Sequence, residues 1–235
     1  MESNVTELPI HDRLLAWFET HKKESLWGVA VVLVVGLGIG FFLWRENERQ
    51  ASANEALSRI LGRSATSSES PLLPETFLKV TAEHPNTDAG SRALLLAAAS
   101  SFSKGRYADA KAQFESFRRD YHDSPLVNQA LLGVAACLDA QGKTGEAVTV
   151  YNDILQHYST DNVAVQAKLA LAGLHEKQGK WEQARDAYSE LIRANMGSIS
   201  SEAGMHLGEL FARHPELAPT KQSSTNLPAL ALPKP

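Results

Sequence analysis

The sequence has one cysteine, Cys137, among 235 residues, and it has no excess of positive charge. A single cysteine excludes an intramolecular disulfide framework and any metal site built from several cysteines. The 23 lysines and arginines stand against 27 aspartates and glutamates, so the net charge is −4. Proteins that bind nucleic acid concentrate lysine and arginine on one face to neutralise phosphates. Nucleic acid is therefore not an expected partner.

Sequence motifs of catalysis and metal binding are also missing. The eight histidines are scattered, and no two of them have the four-residue spacing, with a glutamate between, of a zinc site on one helix. Ser101 and Lys104 match the Ser-x-x-Lys motif of penicillin-binding enzymes, but the companion motifs are absent. There is no Gly-x-Ser-x-Gly elbow and no phosphate-binding loop. We predict no catalytic residue, no metal ligand and no cofactor, and an enzyme is the least favoured class of function.

One long apolar run is present, from Leu26 to Trp44, and it contains 19 residues without a charged side chain. As a helix, 19 residues span about 28 Å, close to the thickness of about 30 Å of a bilayer's hydrocarbon core. Trp27 and Trp44 stand at its ends, where tryptophan rings match the headgroup level. We predict a transmembrane helix over residues 26–44, which follows a short segment over residues 1–25.

A cleaved signal peptide is the alternative interpretation of this run. A signal peptide has an apolar core of about 7–15 residues and a small-residue cleavage site directly behind it. This run is longer and closes with the bulky residues 41–44, and its nearest candidate cleavage site, Ala51-Ser52-Ala53, lies well downstream. We therefore expect the span to remain in the protein as an anchor.

Charge does not determine the orientation of the span. Three basic residues precede it and three follow it, so the positive-inside rule favours neither direction: they are Arg13, Lys22 and Lys23 before the span, and Arg45, Arg49 and Arg59 after it. Residues 12–20 form either an amphipathic surface helix or an early start of the span. Gly36 and Gly40 make a small-xxx-small pair that either packs against another membrane helix or is tolerated filler.

A repeat of 37 residues organises the rest of the chain. Gly105, Gly142 and Gly179 are 37 residues apart, and four further positions keep this interval. These positions hold a small residue seven before the glycine (Ala98, Ala135, Ala172) and another five after it (Ala110, Ala147, Ala184), an aromatic nine after it (Phe114, Tyr151, Tyr188) and a large apolar residue twelve after it (Phe117, Ile154, Leu191).

Each repeat is predicted to be a pair of helices that meet at the glycine, because glycine adopts the left-handed conformation that ends a helix. The predicted pairs cover residues 89–104 with 107–121, 126–141 with 144–158, and 164–178 with 181–194. A degenerate first pair is predicted over residues 48–61 and 75–83, and a partial fourth unit contains Met205, Leu207, Leu210 and Phe211. Residues 63–71 and the tail 215–235, which has five prolines, are predicted as loop or disorder.

This pattern resembles the tetratricopeptide repeat (TPR), whose helix pairs are usually 34 residues long; the three extra residues fall in turns such as 121–125. The resemblance implies an all-α fold: a TPR-like α-solenoid of antiparallel helix pairs over residues 45–214, preceded by one transmembrane helix and followed by a proline-rich tail over residues 215–235. TPR arrays bind many kinds of protein, so the resemblance indicates protein–protein interaction without naming the partner.

The order of the segments narrows the resemblance. The segment 14–23, one span, then Trp44-Arg45-Glu46-Asn47 and an alanine-rich TPR domain resemble the YfgM family of ancillary SecYEG translocon subunits. That family implies an inner-membrane protein with a short cytoplasmic segment over residues 1–25. Its TPR domain lies in the periplasm, where it assists or scaffolds exported proteins near the translocon and periplasmic chaperones. The serine-rich insert and the proline-rich tail depart from the family. A scaffold for another cell-envelope or division complex is the alternative, and a homo-oligomer fits either.

TPR arrays use the inner face of their first helices for binding, and the repeat register transfers that face to this chain. A groove of mixed apolar and charged residues suits a peptide or an unfolded segment. The alternative is that some of these residues pack against the amino-terminal helices or a second copy. Cys137 is expected to be a buried structural thiol. The groove residues are Arg92, Leu95, Phe102, Gln129, Leu132, Asp139, Gln166, Leu169, Glu176 and Lys177.

Overall fold

The computed structural model of the chain describes residues 22–66 and 73–219. Within these ranges the regular structure is α-helical apart from one short 3-10 turn, so the predicted all-α class is confirmed. The helices are α1 (Lys22–Thr66), α2 (Pro74–Glu83), α3 (Asp88–Ser103), α4 (Tyr107–Asp120), α5 (Val127–Ala140), α6 (Thr144–His157), α7 (Asn162–Lys177), α8 (Trp181–Ala194) and α9 (Ser198–Arg213), followed by the turn Pro215–Leu217.

Helix α1 contains the apolar run and continues without interruption into the repeat domain. By length and composition, it is the one helix among the described residues that is long and apolar enough to cross a membrane. Its apolar side chains stay exposed in the isolated chain, including Trp27 at 75% and Trp44 at 61%. The predicted loop over residues 63–71 is wrong at its start, because α1 runs on to Thr66.

The three repeat glycines adopt positive φ angles, as predicted: 74° at Gly105, 76° at Gly142 and 72° at Gly179. At Gly142 the amide donates to Asp139 O at 2.8 Å, and the next amide, of Lys143, donates to Leu138 O at 2.9 Å. These are the two hydrogen bonds of a Schellman motif, and they recur at the other two glycines. Each first helix therefore ends in the same type of turn.

The residues that repeat at 37-residue intervals form the contacts inside the helix pairs. All six small residues of the pattern are completely buried or nearly so, and the aromatic and large apolar residues nine and twelve after each glycine are buried beside them. The small alanine on each helix of a pair lets the two helices approach closely. The aromatic residue of the second helix fills the space toward the next pair. The pattern read from the sequence is thus the core of the domain.

Both ends of the stack are closed by elements outside the three regular repeats. Ala53 and Leu57 on α1 are buried with Phe77 of α2, and Gln50 Oε1 accepts a hydrogen bond from the Asp88 amide at 3.0 Å. This confirms the predicted first pair, although its first helix is the continuation of the span. At the other end, Leu217 packs on the last cluster, so helical packing extends three residues past the boundary expected at residue 214.

Some sequence predictions fall outside the described residues. These are the segment 12–20, the serine-rich insert from residue 67 onward and the tail beyond Pro219. Gly36 and Gly40 are described, and a Cβ at either glycine meets nothing within 4 Å in the single chain. Packing of this pair against a second membrane helix therefore stays a prediction.

A first prediction concerns two glycines of the first helices. A Cβ at Gly133 would lie 2.6 Å from carbons of the buried Phe114 ring, whereas a Cβ at Gly173 has its nearest neighbour, Tyr188 Oη, at 3.7 Å. We expect Gly133→Ala to destabilise the chain by about 1–2 kcal/mol through overpacking. Gly173→Ala is the matched control and should stabilise it by about 0.5–1 kcal/mol through lost backbone entropy. Urea unfolding of the full chain in detergent measures both, and equal effects would contradict the packing given for Phe114.

A second prediction concerns His175, which stands 37 residues after the buried Leu138. Its Nδ1 is buried without a hydrogen-bond partner, and burial, followed by the nearby Lys180 charge, lowers the pKa of His175. The unfolded chain therefore binds this proton more readily, so the stability present above pH about 6.5 is lost as the pH falls through the lower folded pKa.

We expect His175→Leu to raise the thermal midpoint at pH 5.5 by about 2–4 °C, equivalent to about 1 kcal/mol, and to change it less at pH 7.5. The control is His122→Gln, whose side chain is exposed. Thermal unfolding followed by circular dichroism at both pH values tests this. The same shift at both pH values would show that His175 acts through packing alone.

Candidate functional site: a groove along the first helices

Two adjoining pockets run along the first helices of the repeats. The first, which we call the apolar pocket, lies between α3 and α5 and has a volume of about 480 Å³. Only two of its lining residues, Arg92 and Gln129, have polar side chains. The remaining lining residues are apolar or glycine: Leu95, Leu96, Ala99, Phe114, Leu126, Leu132, Gly133 and Ala136. An apolar side chain that enters this pocket is removed from water on several sides.

The second pocket, which we call the charged pocket, has a volume of about 1030 Å³ and extends from α5 across α7 to α9. Leu132 and Ala136 line both pockets, so the two form one continuous groove. Four carboxylates and two cationic side chains line the charged pocket, so with His206 neutral its net charge is −2. The charged residues are Asp139, Glu176, Glu202, Glu209, Lys177 and Arg213.

Nine of the ten groove residues predicted from the sequence line these pockets. Arg92, Leu95 and Gln129 line the apolar pocket, and Leu132 lines both. The charged pocket takes the others: Asp139, Gln166, Leu169, Glu176 and Lys177. Phe102 lines neither pocket, because its ring packs edge-on against Tyr107 of the following helix at 5.2 Å between ring centroids. Its place is in the packing of the first regular pair.

Ion pairs join the ends of successive first helices along one edge of the charged pocket. Lys177 Nζ on α7 lies 3.1 Å from Asp139 Oδ2 on α5. One repeat later, Arg213 on α9 pairs with Glu176 on α7. The two bridges join equivalent positions, since Glu176 stands 37 residues after Asp139. Three charged residues predicted for the groove, Asp139, Glu176 and Lys177, are thus paired between neighbouring repeats.

Glu176 is the most enclosed charged group of this edge, with 13% of its side chain exposed. The Tyr188 hydroxyl donates to Glu176 Oε2 at 3.1 Å. Burial, together with the Glu176 carboxylate, raises the pKa of Tyr188, so the phenol remains a donor at any physiological pH. The Tyr188 ring also stacks on His206 of α9 at 5.6 Å between centroids. Tyr188 therefore connects three helices at the floor of the pocket.

Helix α9 supplies one wall of the charged pocket, and the sequence reasoning did not include it in the groove. Glu202, Glu209 and Arg213 stand 36 residues after Gln166, Gly173 and Lys177. The interval between α7 and α9 is therefore 36 residues, one fewer than the interval between the earlier repeats. Extending the 37-residue period to α9 selects positions that are one residue out of register. A search for the same helical stripe with a 36-residue step would have found these residues.

Outside the groove, two groups that could carry chemistry, Cys137 and Ser101, are buried in the helix packing. Burial raises the pKa of the Cys137 thiol to about 11, so little thiolate forms at neutral pH. Ser101, of the Ser-x-x-Lys match, is buried, and its hydroxyl donates to Gln113 Oε1 at 3.0 Å. In the described part of the chain, no group of three or more His, Cys, Asp and Glu side chains is placed to hold a metal ion.

Comparison with known proteins gives one family. A sequence model described as tetratricopeptide repeat-like domain matches residues 15–210, which is most of the chain. No curated protein matches the chain.

Solved structures that match include BtubC (BKLC) from P. vanneervenii, at 14% identity and a TM-score of 0.47, over 72% of this chain and 66% of that one. A protein with nearly identical TPR-like repeats from Podosopora anserina matches at 14% identity and a TM-score of 0.46, over 73% of this chain and 88% of that one.

A third prediction tests the bridge between α7 and α9. Because Arg213 is half exposed, we expect a double-mutant cycle of Glu176→Ala and Arg213→Ala to give a coupling of about 0.5–1 kcal/mol. Glu176→Ala alone should cost about 1–3 kcal/mol, because it also removes the acceptor of the Tyr188 hydroxyl, while Glu176→Gln retains it. The exposed pair Lys79 and Glu83 provides the control cycle. Urea midpoints report these values, and zero coupling would contradict the bridge.

Proposed function

Because the chain belongs to the tetratricopeptide repeat-like domain family, we propose that it is a membrane-anchored protein-interaction module. In this proposal, the groove along α3, α5, α7 and α9 holds extended segments of other proteins. The module works at the inner membrane, on the periplasmic side, where it assists or scaffolds proteins at the Sec translocon. Binding and positioning are sufficient for this role, so it requires no reaction in the groove.

The observation that carries the proposal is the unbroken helix α1. The apolar run ends at Trp44, and the first completely buried residue of the repeat domain, Ala53, follows on the same helix. Nine residues of helix correspond to about 14 Å. No linker separates the span from the repeats, so a membrane-embedded span holds the groove close to the bilayer surface. A protein that leaves a membrane channel would pass within reach of the groove.

The chemistry of the groove supports an extended peptide as the ligand. The apolar pocket accepts side chains without hydrogen-bonding ability, and the charged pocket beside it offers carboxylates and amides. An unfolded segment carries both kinds of side chain within a few residues. Clefts that combine apolar walls with a few polar groups are typical of peptide-binding surfaces.

The translocon and the periplasmic orientation are supported by the resemblance of the sequence around the span to the YfgM family. The basic residues on the two sides of the span are balanced, so charge adds no support to either orientation. A domain of this length can be exported regardless of that balance.

A fourth prediction tests the orientation. We expect alkaline phosphatase fused after Pro219 to be active, because it would lie in the periplasm. A fluorescent protein fused at the same place, and exported unfolded through the Sec route, should be dark. The matched control is the same pair of fusions to a chain without residues 26–44, which should show the opposite signals. Activity of only the cytoplasmic reporter in the intact chain would contradict the periplasmic role.

A fifth prediction tests the partner. A photo-crosslinking residue in place of Gln129 or Gln166, on the groove, should capture translocon subunits and newly exported chains in native membranes. The control replaces Asn152, which is exposed on α6 and lines neither pocket. Capture of envelope-assembly or division proteins at the groove positions would support the scaffold alternative. Equal capture from Asn152 would show that the groove is not the binding surface.

A further inference from the structure

The polarity of the groove changes along its length. The pocket next to α9 contains the carboxylates, while the pocket between α3 and α5 is almost entirely apolar. A ligand that fits this groove is therefore polar and basic at its α9 end and apolar at its α3 end. The direction of the ligand is determined by the groove itself.

The chain leaves the described structure at the α9 end of this groove. Arg213, the last residue of α9, lines the charged pocket, and the ring of the following His214 stacks on Trp181 at 4.3 Å between centroids. The turn Pro215–Leu217 packs on α8 and α9, and the description ends at Pro219. The last described residue, Pro219, is therefore six residues along the chain from Arg213, which lines the charged pocket.

The composition of residues 220–235 changes in the same order as the groove. The first seven residues, Thr-Lys-Gln-Ser-Ser-Thr-Asn, are polar, and the next six, Leu-Pro-Ala-Leu-Ala-Leu, are apolar. Lys221 is the one charged residue of the polar part, so this part carries a charge of +1, and Lys234 follows the apolar block. The lining of the charged pocket carries −2. Pro228 and Pro233 favour the extended conformation that a peptide groove accepts.

We propose that residues 220–235 occupy the groove of their own chain, with the polar part in the charged pocket and the block 227–232 in the apolar pocket. The inference rests on the proposed function, because it requires that the groove bind an extended peptide. The segment then acts as a built-in competitor that a partner protein displaces.

The lengths are compatible with this placement. In an extended conformation of about 3.1 Å per residue, Leu227 lies about 25 Å from Pro219. The first helices α9, α7 and α5 contact one another in sequence, and two steps of about 10 Å between packed helices bring the apolar pocket about 20 Å from α9. The apolar block thus begins where the apolar pocket begins. A tether this short also maintains a high effective concentration of the segment at the groove.

The first test is a crosslink within the full chain. A photo-crosslinking residue in place of Gln129, on the apolar pocket, should become linked to the tryptic peptide of residues 222–235, and the same residue in place of Asn152 should not. Mixing isotopically labelled and unlabelled chains identifies the source of the peptide. Links that join only peptides of the same isotope come from one chain and support the proposal. Links that join labelled to unlabelled peptides in the proportion expected for random pairing come from two chains; they would assign the groove to a second copy and overturn the proposal. Absence of any link to residues 222–235 would also overturn it.

The second test is competition with a fluorescent synthetic peptide of residues 220–235. We expect the peptide to bind a chain that ends at Pro219 at least about ten-fold more tightly than the full chain, because the tethered segment competes for the same groove. A full chain with Leu227→Ser, Leu230→Ser and Leu232→Ser is the matched control, since it keeps the length, prolines and lysines. It should bind the peptide as the shortened chain does. Equal binding to the full and shortened chains would overturn the proposal.

The two proposals can fail separately. If Gln129 captures exported proteins in native membranes but never residues 222–235, the occupant proposed here is wrong and the proposed function stands. If Gln129 captures residues 222–235 and the chain that ends at Pro219 still captures no other protein from the membrane, the occupant is correct and the proposed function is wrong.

Discussion

The structure depends on the close contact between the two helices of each pair. Ala98, Ala135 and Ala172 on the first helices are completely buried, and so are Ala110, Ala147 and Ala184 on the second helices. A larger side chain at these positions would push the axes of a pair apart, and the aromatic residue that follows on the second helix would no longer meet the neighbouring pair. Because the same contact is made three times, with the same glycine turn, the pairs stack with a regular offset.

The groove is a consequence of this stacking. Regular offsets place α3, α5, α7 and α9 side by side, so residues one repeat apart become neighbours in space. Two bridges use this neighbourhood, from Asp139 to Lys177 and from Glu176 to Arg213. Their charges are partly exposed and stabilise the domain only modestly. The paired side chains also place both signs of charge at defined positions along the groove.

The anchor and the groove belong to one continuous piece of structure. The apolar run and the first packed residues, Ala53 and Leu57, share helix α1, so the direction of the apolar run is continuous with the stack. A repeat domain on a long linker would sample a large volume away from the bilayer. In the proposed role, the continuous helix would determine the position of the groove relative to the membrane.

The sequence by itself determined the periodic features: the apolar run from Leu26 to Trp44, the three glycine turns and the buried positions of each pair. These depend on interactions within about 20 residues, and their spacing repeats, so they can be read without coordinates. Nine of the ten residues that the repeat register predicted for a groove line the two pockets.

Only the tertiary structure decided the features that join distant segments. It removed Phe102 from the groove, added the wall of α9 and extended α1 to Thr66. It also showed that Glu176 serves Tyr188 and Arg213 at once. These outcomes depend on which side chains meet between neighbouring repeats and on the interval between α7 and α9, which is one residue shorter than the repeat period. A local pattern does not contain that information, because a contact between helices is determined by the geometry of both.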